Sequence, residues 1–194
     1  MKNSITRFAI LGICIVSLLS IGCDKLNSLT EINVPITVTF NPAVTNADMP
    51  HTAVPECTDL TTNTKFNDNK DKVKSASISD MTFQVSTYTG TPASSVARYD
   101  KIEYRLKFDP AYGDNTEYLL GSFADVSVAT LMSSPQKINV TDAALNAAVA
   151  QIKSRPKFCV IATYTLNGTT GKITSMTSEL KLTFQLKVDG ASAI

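Results

Sequence analysis

The sequence predicts an all-β protein, an antiparallel β-sandwich of about seven to eight strands of the Ig-like or Greek-key type, with one short helix. Several segments alternate apolar and polar residues, which is the period of a strand with one buried face. Clusters of Gly, Pro, Asn and Asp separate these segments and indicate turns. A single segment has helical periodicity. We therefore expect one domain over residues 31–189.

The first strand is predicted over residues 31–40, because every second residue is apolar. Pro35 lacks a backbone N–H, which favours an edge position. Residues 41–72 contain three prolines and many Asn, Asp and Thr residues, so they are predicted to form a long irregular loop. The residues expected on the inner face of the strand are Ile32, Val34, Ile36, Val38 and Phe40.

The second strand is predicted over residues 73–88, and its apolar positions change parity part-way. One extra residue reconciles such a change, so we expect a bulge near residues 79–80. The apolar sets are Ala76 and Ile78 before the change, and Met81, Phe83 and Val85 after it.

The middle of the chain predicts further strands. Residues 100–109 alternate regularly between apolar and polar side chains and predict a strand. Residues 116–128 predict one or two strands with a break at Gly121, and residues 135–140 predict a short strand. The connecting residues are predicted as a loop over 89–97 and a turn over 110–115.

The one predicted helix covers residues 141–153. Thr141 can cap it, Asp142 suits its positive end, and Pro156 prevents its continuation. We expect it to cover one end of the sandwich with an apolar stripe of Leu145, Ala148, Val149 and Ile152.

The C-terminal part predicts a hairpin. Residues 158–166 are apolar on both faces, which is typical of a central strand. Residues 167–171 predict the hairpin loop, residues 173–188 predict a long strand, and residues 190–194 predict a short tail. The inward residues of the long strand are Leu180, Leu182, Phe184, Leu186 and Val188.

The N-terminal segment has the pattern of a signal peptide: Lys2 and Arg7, then a short apolar run, then Gly22 before Cys23. The run is shorter than the ~20 residues of a spanning helix. The segment resembles the lipobox of bacterial lipoproteins, although the leucine preferred three places before the cysteine is here Ser20. Two alternatives stay open, an unlipidated Cys23 and an anchor at Cys14.

The lipobox resemblance implies that residues 1–22 are cleaved, that Cys23 carries a diacylglyceryl group and enters the bilayer, and that residues 23–30 form a tether. The strand sequences VPITVTF, VKSASISDMTF and LTFQLKV of this chain resemble strands of single-domain β-sandwich lipoproteins of bacterial envelopes. This second resemblance implies the fold and an envelope location. The outer membrane is the expected membrane, facing either the periplasm or the exterior. Neither resemblance implies a catalytic residue or a cofactor.

Two cysteines remain for the domain, Cys57 and Cys159. An even pair in an exported chain predicts a disulfide, because that compartment is oxidising. The alternative is a pair of free thiols, with Cys159 filling a strand position as a small apolar residue.

No catalytic or metal site is predicted. His51 is the only histidine. A Cys-His nucleophile pair with Cys57 or Cys159 is conceivable. A net charge of +1 without a basic run gives no electrostatic case for nucleic acid. Two oxygen-rich loops could hold calcium, but neither has the full spacing or the glycine of a calcium loop, so solvated turns are expected. Their residues are Asn67, Asp68, Asn69 and Asp71, and then Asp109, Asp114 and Glu117.

The functional hypothesis is a membrane-anchored, non-enzymatic envelope lipoprotein that acts as a binding or structural module, with an envelope or surface protein as its expected partner. The alternative is a subunit or accessory of a surface or fimbrial-type assembly, which exchanges a strand along the edge at residues 31–40. A hydrolase whose site is assembled only in space, around His51, ranks third.

Overall fold

The computed structural model describes residues 31–140, 143–167 and 171–190, and it shows two antiparallel sheets packed face to face. The predicted fold class is confirmed. The strands of the first sheet are β1 (Glu31–Phe40), β2 (Ala43–Asp48), β5 (Val73–Thr91), β8 (Gln136–Lys137) and β10 (Lys172–Asp189). Those of the second sheet are β3 (His51–Thr52), β4 (Glu56–Asp59), β6 (Arg98–Phe108), β7 (Glu117–Ser127) and β9 (Lys157–Leu166). The α-helices in the described part are α1 (Thr64–Asn69), α2 (Val128–Ser133) and α3 (Ala143–Val149).

The strand order is β1-β10-β5-β8 in the first sheet and β3-β9-β6-β7 in the second. Strands β1 and β2 follow each other along one edge of β10. The chain then crosses to the second sheet, where β3 and β4 run along β9. Residues 31–59, which we call the edge ribbon, therefore form the edges of both sheets on one side of the sandwich.

The core lies between the sheets, where the alternating residues meet. The inward residues predicted for β10 are all buried, and so are those of β6. The rings of Phe158 and Phe184 pack edge to face at 5.5 Å between their centroids. Full burial of a large apolar side chain stabilises a fold by about 1.5–3 kcal/mol, so these two strands supply much of the driving force.

Two of the several bulges in the long strands bear directly on the sequence pattern and the packing. Asp80 pairs with Thr183 and Ile78 pairs with Phe184, so Ser79 is the extra residue that the change of parity predicts. The second bulge lies in β7, where Leu120 is the unpaired residue before Gly121. A Cβ atom at Gly121 would collide with the Cγ2 atom of Ile138, which explains the glycine.

The prediction of one long loop over residues 41–72 is wrong. Three short strands and α1 lie there. Strands of two to six residues show too few alternations for a recognisable pattern, and backbone pairing to β9 and β10 holds them in place. Strand β5 also continues to Thr91, into the predicted loop.

The prediction of a single helix is also incomplete. The helices α1 and α2 have six residues each, which is too short for a clear periodicity, and the side chains of Asn63 and Ser127 cap them. The predicted helix over 141–153 is observed as α3, followed by turns.

Several expectations concern residues outside the described part of the chain. They are the signal segment 1–22, the lipidated Cys23, the tether 23–30, the capping pair Thr141 and Asp142, residues 168–170 of the hairpin loop, and residues 191–194 of the tail. Among the residues with a described structure, no helix has both the length and the apolar character needed to cross a membrane.

Strand β1 occupies the predicted edge position: within the described residues it pairs with β10 alone. Its register places Glu31 opposite Asp189 and Phe40 opposite Leu180. Ile36 and Phe40 are buried, whereas Ile32 at the start of the strand is 47% exposed. The inner face of β1 is therefore covered only over its second half.

Candidate functional site

The disulfide joins Cys57 of β4 to Cys159 of β9, which lie opposite each other in the strand register. Cys57 is exposed and Cys159 is half-buried, so the bond lies on the outer face of the second sheet. The predicted disulfide is confirmed, and the alternative of two free thiols is wrong. A Cys-His nucleophile with His51 on β3 is wrong for the same reason, because neither sulfur is a free thiol.

The two oxygen-rich segments considered for calcium are used locally. The side-chain oxygen of Asn67 accepts a hydrogen bond from the Lys70 ammonium at 3.0 Å. Asp109 accepts the backbone N–H of Ala111 at 2.9 Å and so caps a 3-10 turn. In the part of the chain that the structure describes, no cluster of three or more His, Cys, Asp or Glu residues is arranged to hold a metal ion.

Asp114 is the centre of a compact polar cluster. Its carboxylate accepts the backbone N–H of Thr116 and the hydroxyl of Tyr118, each at 2.9 Å, and the Arg155 guanidinium at 2.8 Å. The backbone N–H of Thr116, its hydroxyl and the Tyr118 hydroxyl lower the pKa of Asp114 to about 2, with a further contribution from the positive charge of Arg155. The cluster fastens the turn after β6 to the segment that leads into β9.

A pocket of about 760 Å³ opens at the same end of the sandwich. We call it the end pocket. Its walls come from three places: the helical segment between β4 and β5, the turn after β6, and the turns after α3. The lining residues are Thr61, Phe66, Lys70, Asp71, Tyr112, Ala150, Gln151, Lys153, Ser154 and Pro156.

Local hydrogen bonds fix these walls. The Asp59 carboxylate caps a 3-10 turn by accepting the N–H and the hydroxyl of Thr61 at 2.9 and 2.7 Å. The Lys153 ammonium donates to the carbonyl oxygen of Asp71 at 3.1 Å and so joins two of the walls. The phenol oxygen of Tyr112 accepts the backbone N–H of Lys157 at 3.4 Å. Phe66 is fully buried beneath the first wall.

A smaller cleft of about 440 Å³ lies beside the disulfide and adjoins the end pocket through Lys157. Its acidic residues are Asp59 and Asp109. Hydrogen bonding from Thr61 lowers the pKa of Asp59, and Lys157, at 3.5 Å from the carboxylate, lowers it further. At neutral pH, the charges that face this cleft therefore include a fixed ion pair.

Tyrosines do not form a binding platform in the core of the sandwich. Tyr99, Tyr104 and Tyr164 are fully buried, and burial raises the pKa of each phenol well above its usual range. The Tyr99 hydroxyl contacts the sulfur of Met176 at 2.8 Å. These side chains are neutral parts of the core, whereas Tyr112 at the end pocket is half-buried.

The sequence singles out Cys57 and Cys159, and the structure brings them together. His51 lies in the short strand β3, opposite Tyr164. The end pocket has no signal in the sequence, because its residues come from segments far apart in the chain.

No protein-family model matches the chain, and no curated protein sequence matches it. The solved structures that match the chain include viral ones. Desmodium yellow mottle tymovirus is 10% identical, with 81% of this chain and 89% of that chain covered and a TM-score of 0.24. The Macrobrachium rosenbergii nodavirus semi-empty virus-like particle is 10% identical, with 81% and 95% covered and a TM-score of 0.29. The decameric BFDV capsid protein is 10% identical, with 80% and 99% covered and a TM-score of 0.32. A likeness at this level carries no inference about what this chain does.

Proposed function

We propose that this chain is a lipid-anchored bacterial envelope lipoprotein whose β-sandwich is a non-enzymatic binding or structural module. The observation that carries the proposal is the charged and then apolar N-terminal segment that ends at Gly22 and Cys23. The disulfide between Cys57 and Cys159 supports export, because structural disulfides persist in oxidising compartments.

A lipidated Cys23 would hold one particular end of the sandwich near the bilayer. The segment 23–30 spans at most about 28 Å when fully extended. It leads into Glu31, which lies opposite Asp189 at the end where Val73 also pairs with Val188. The lysine-containing wall of the end pocket directly precedes Val73, so the pocket would lie at the membrane-proximal end.

Lipid chains alone are sufficient for stable attachment in this proposal. Each buried methylene contributes about 0.8 kcal/mol, and stable anchoring takes two lipid signals. A diacylglyceryl cysteine supplies two chains, and acylation of its amino group adds a third. The outer membrane remains the proposed membrane.

Mass spectrometry of membrane-extracted protein tests the anchor. The wild-type chain should begin at Cys23 and carry the mass of the acyl chains, and Cys23→Ala should abolish both processing and lipid. Cys14→Ala is the matched control and should behave as wild type, because it removes a signal-segment cysteine only. An unmodified Cys23 on the wild-type chain would refute the proposal.

Protease treatment of intact cells then locates the domain. Loss of the domain from unbroken cells would assign it to the exterior. Protection until the outer membrane is opened would assign it to the periplasm. In either case, the same domain exported behind a signal segment that is cleaved without lipidation should leave the membrane fraction, which checks that attachment runs through the lipid.

A second candidate function, a subunit of a surface or fimbrial-type assembly, is favoured by the edge position of β1. Strand exchange with a second copy would use the outer edge of this strand. Pro35 offers no N–H there, so the outer edge lacks a donor at the middle of the strand, and α1 begins close to it, in the cleft that Pro35, Ile36 and Thr37 line. We therefore rank this candidate second.

Sedimentation of the full chain tests strand exchange. Asn33→Pro should shift an oligomer to monomer, because Asn33 has the same parity as Pro35 in β1 and its N–H therefore faces the outer edge. Val54→Pro is the control, since Val54 is 83% exposed and lies in the connection between β3 and β4. A wild-type chain that sediments as a monomer would leave this candidate without support.

A further inference from the structure

We infer that the end pocket binds an organic phosphate, with the Lys70 and Lys153 ammonium groups holding the oxyanion. Neither the anchor nor the strand edge discussed above uses this pocket. Its volume, about 760 Å³, is in the range of small-molecule sites and exceeds the space that a bare phosphate ion needs.

The distribution of paired lysines carries the inference. Most described lysines have a carboxylate oxygen within 4.0 Å, for example Lys74 with Asp189 and Lys157 with Asp59. The other described lysines form no ion pair with a described carboxylate. They are Lys65, Lys70, Lys72, Lys153 and Lys187.

Four of these five lysines lie in the two segments that wall the end pocket, and Lys70 and Lys153 line it directly. Both ammonium groups donate to neutral oxygens: Lys70 to the amide oxygen of Asn67 at 3.0 Å and Lys153 to the carbonyl oxygen of Asp71 at 3.1 Å. These hydrogen bonds hold the ammonium groups in place, and no carboxylate of the described residues forms an ion pair with either of them. An ammonium group has three donors, so each retains donors for a ligand.

One acid opposes them. Asp71 is the acidic residue of the lining, and its carboxylate forms no ion pair with any described residue. The lining thus carries two positive charges against one negative charge, and an oxyanion is favoured on the side of the two lysines. Asp71 is suited to accept a hydrogen bond from a hydroxyl group of the same ligand.

The neutral residues of the lining indicate the chemistry of the part of the ligand beyond its phosphate group. The Tyr112 ring and Pro156 give apolar surface, and Gln151 contributes an exposed amide. The hydroxyls of Thr61 and Ser154 already donate within the chain, to Asp59 and to the carbonyl of Gln151. A phosphate joined to a small polyol or sugar matches this combination of charge, ring surface and amide.

Two sources supply such a phosphate, a free sugar phosphate and a phospholipid headgroup. The headgroup source rests on the proposed lipid anchor, which would bring this end of the sandwich to the bilayer, whereas the pocket itself does not depend on the anchor. A free ligand would be recognised equally well by protein that lacks the lipid.

Calorimetric titration of the full purified chain with glucose 6-phosphate, inorganic phosphate and glucose is the first test. We expect glucose 6-phosphate to bind, inorganic phosphate to bind more weakly, and glucose alone not to bind. A hydrogen bond to a charged group is strong enough that Lys70→Gln and Lys153→Gln should each weaken binding about tenfold. The double variant Lys137→Gln, Lys172→Gln is the matched control, because it removes the same positive charge from exposed lysines far from the pocket.

Co-sedimentation with vesicles separates the two sources. With the mature chain 24–194, which carries neither the signal segment nor the lipid, phosphatidylglycerol vesicles should retain more protein than phosphatidylcholine vesicles if the headgroup is the ligand. The double variant Lys70→Gln, Lys153→Gln should remove the difference. Binding of glucose 6-phosphate without this preference would assign a free ligand.

Absence of binding in both assays, or equal weakening by the pocket and control pairs, would overturn the inference. Thermal melting of each variant checks that it is folded. An unmodified Cys23 would refute the anchor and leave the calorimetric result intact, so failure of the two proposals can be told apart.

Discussion

The two sides of the sandwich are closed by different means. On one side, the edge ribbon of residues 31–59 continues both sheets through backbone hydrogen bonds, and the disulfide fastens it to β9. On the other side, α2, β8 and α3 lie against β5 and β7. We call this the helix side. Its buried residues are Val128, Leu131, Ile138, Leu145, Ala148 and Val149.

The difference follows from what each kind of element can offer a sheet edge. A strand supplies N–H and C=O groups to the ladder, so even a two-residue strand such as β3 can continue the sheet. A helix uses its backbone groups internally and must cover the edge with apolar side chains instead. The edge ribbon therefore depends on pairing and on one covalent bond. The helix side depends mainly on packing, with the two-residue strand β8 as its backbone pairing to β5.

The largest expected effect is on the helix side. Leu145→Ala should lower the free energy of unfolding by about 2–5 kcal/mol, because it leaves a cavity where a fully buried leucine stood. Urea unfolding measures the loss. Leu145→Met is the control and should cost less than about 1.5 kcal/mol. A loss below about 1 kcal/mol for the alanine variant would mean that α3 contributes little to closing this side.

The edge ribbon should respond to loss of its covalent bond. Replacing Cys57 and Cys159 together by serine should destabilise the fold by about 2–4 kcal/mol, since the bond joins residues separated by 102 positions in the chain. Hydrogen exchange should show lost protection in β3 and β4 with little change in α3. Wild type and variant should become equal in a dithiol reductant. Equal protection of β4 in the wild-type and variant chains would contradict the assignment of the disulfide as its fastening.

A smaller effect is expected where the helix side contacts β7. Gly121→Ala should cost about 1–3 kcal/mol, because the new methyl group collides with Ile138. The same substitution should cost less in an Ile138→Ala background, and a double-mutant cycle measures that coupling. Additive costs would show that the strain lies in the bulge of β7 itself.

The smallest expected effect concerns the Asp114 cluster, at the point where the helix side returns to β9 through Arg155. The pKa of Asp114 is lowered from 3.8 in a free chain to about 2 in the folded protein. Its contribution to stability is therefore complete above pH 3.8, and it is lost as the pH falls through about 2. The melting temperatures of wild type and Asp114→Asn should differ at neutral pH and converge near pH 2.

Asp125→Asn is the control for this pH series, because it removes the same charge from an ion pair with Arg98 in which Asp125 is 81% exposed. The control should change the melting temperature less at neutral pH, as surface ion pairs contribute little. A constant difference between wild type and Asp114→Asn down to pH 2 would show that the carboxylate acts through its shape and not through its charge.

The strands that the sequence predicts well are those with one buried face and enough length to show it. Buried residues alternate with more exposed ones in β10 from Leu180 to Val188, and in β6 from Ile102 to Phe108. The bulge at Ser79 is predictable too, since an extra residue shifts the apolar parity. The disulfide is predictable because an exported chain meets an oxidising compartment and two cysteines remain for the domain.

The parts that the sequence does not predict are those defined by contacts between distant segments. Strands β3 and β4 exist because β9 offers a ladder to them, and their own residues carry no period. Arg155 is drawn to Asp114 across the turn after β6, which no local spacing indicates. The end pocket combines Thr61, Tyr112 and Lys153, so it is visible only once the chain is folded.

The pairing of Glu31 with Asp189 makes the described chain nearly a closed ring. Opposite residues of an antiparallel pair lie about 5 Å apart at their Cα atoms, so a short linker would bridge the two positions. The Gly113 turn, with its positive φ of 73°, offers an exposed place for new termini. A permuted chain of this design keeps every strand pairing, and its entry and exit move from the corner at Glu31 and Asp189 to the turn between β6 and β7, which is one wall of the end pocket.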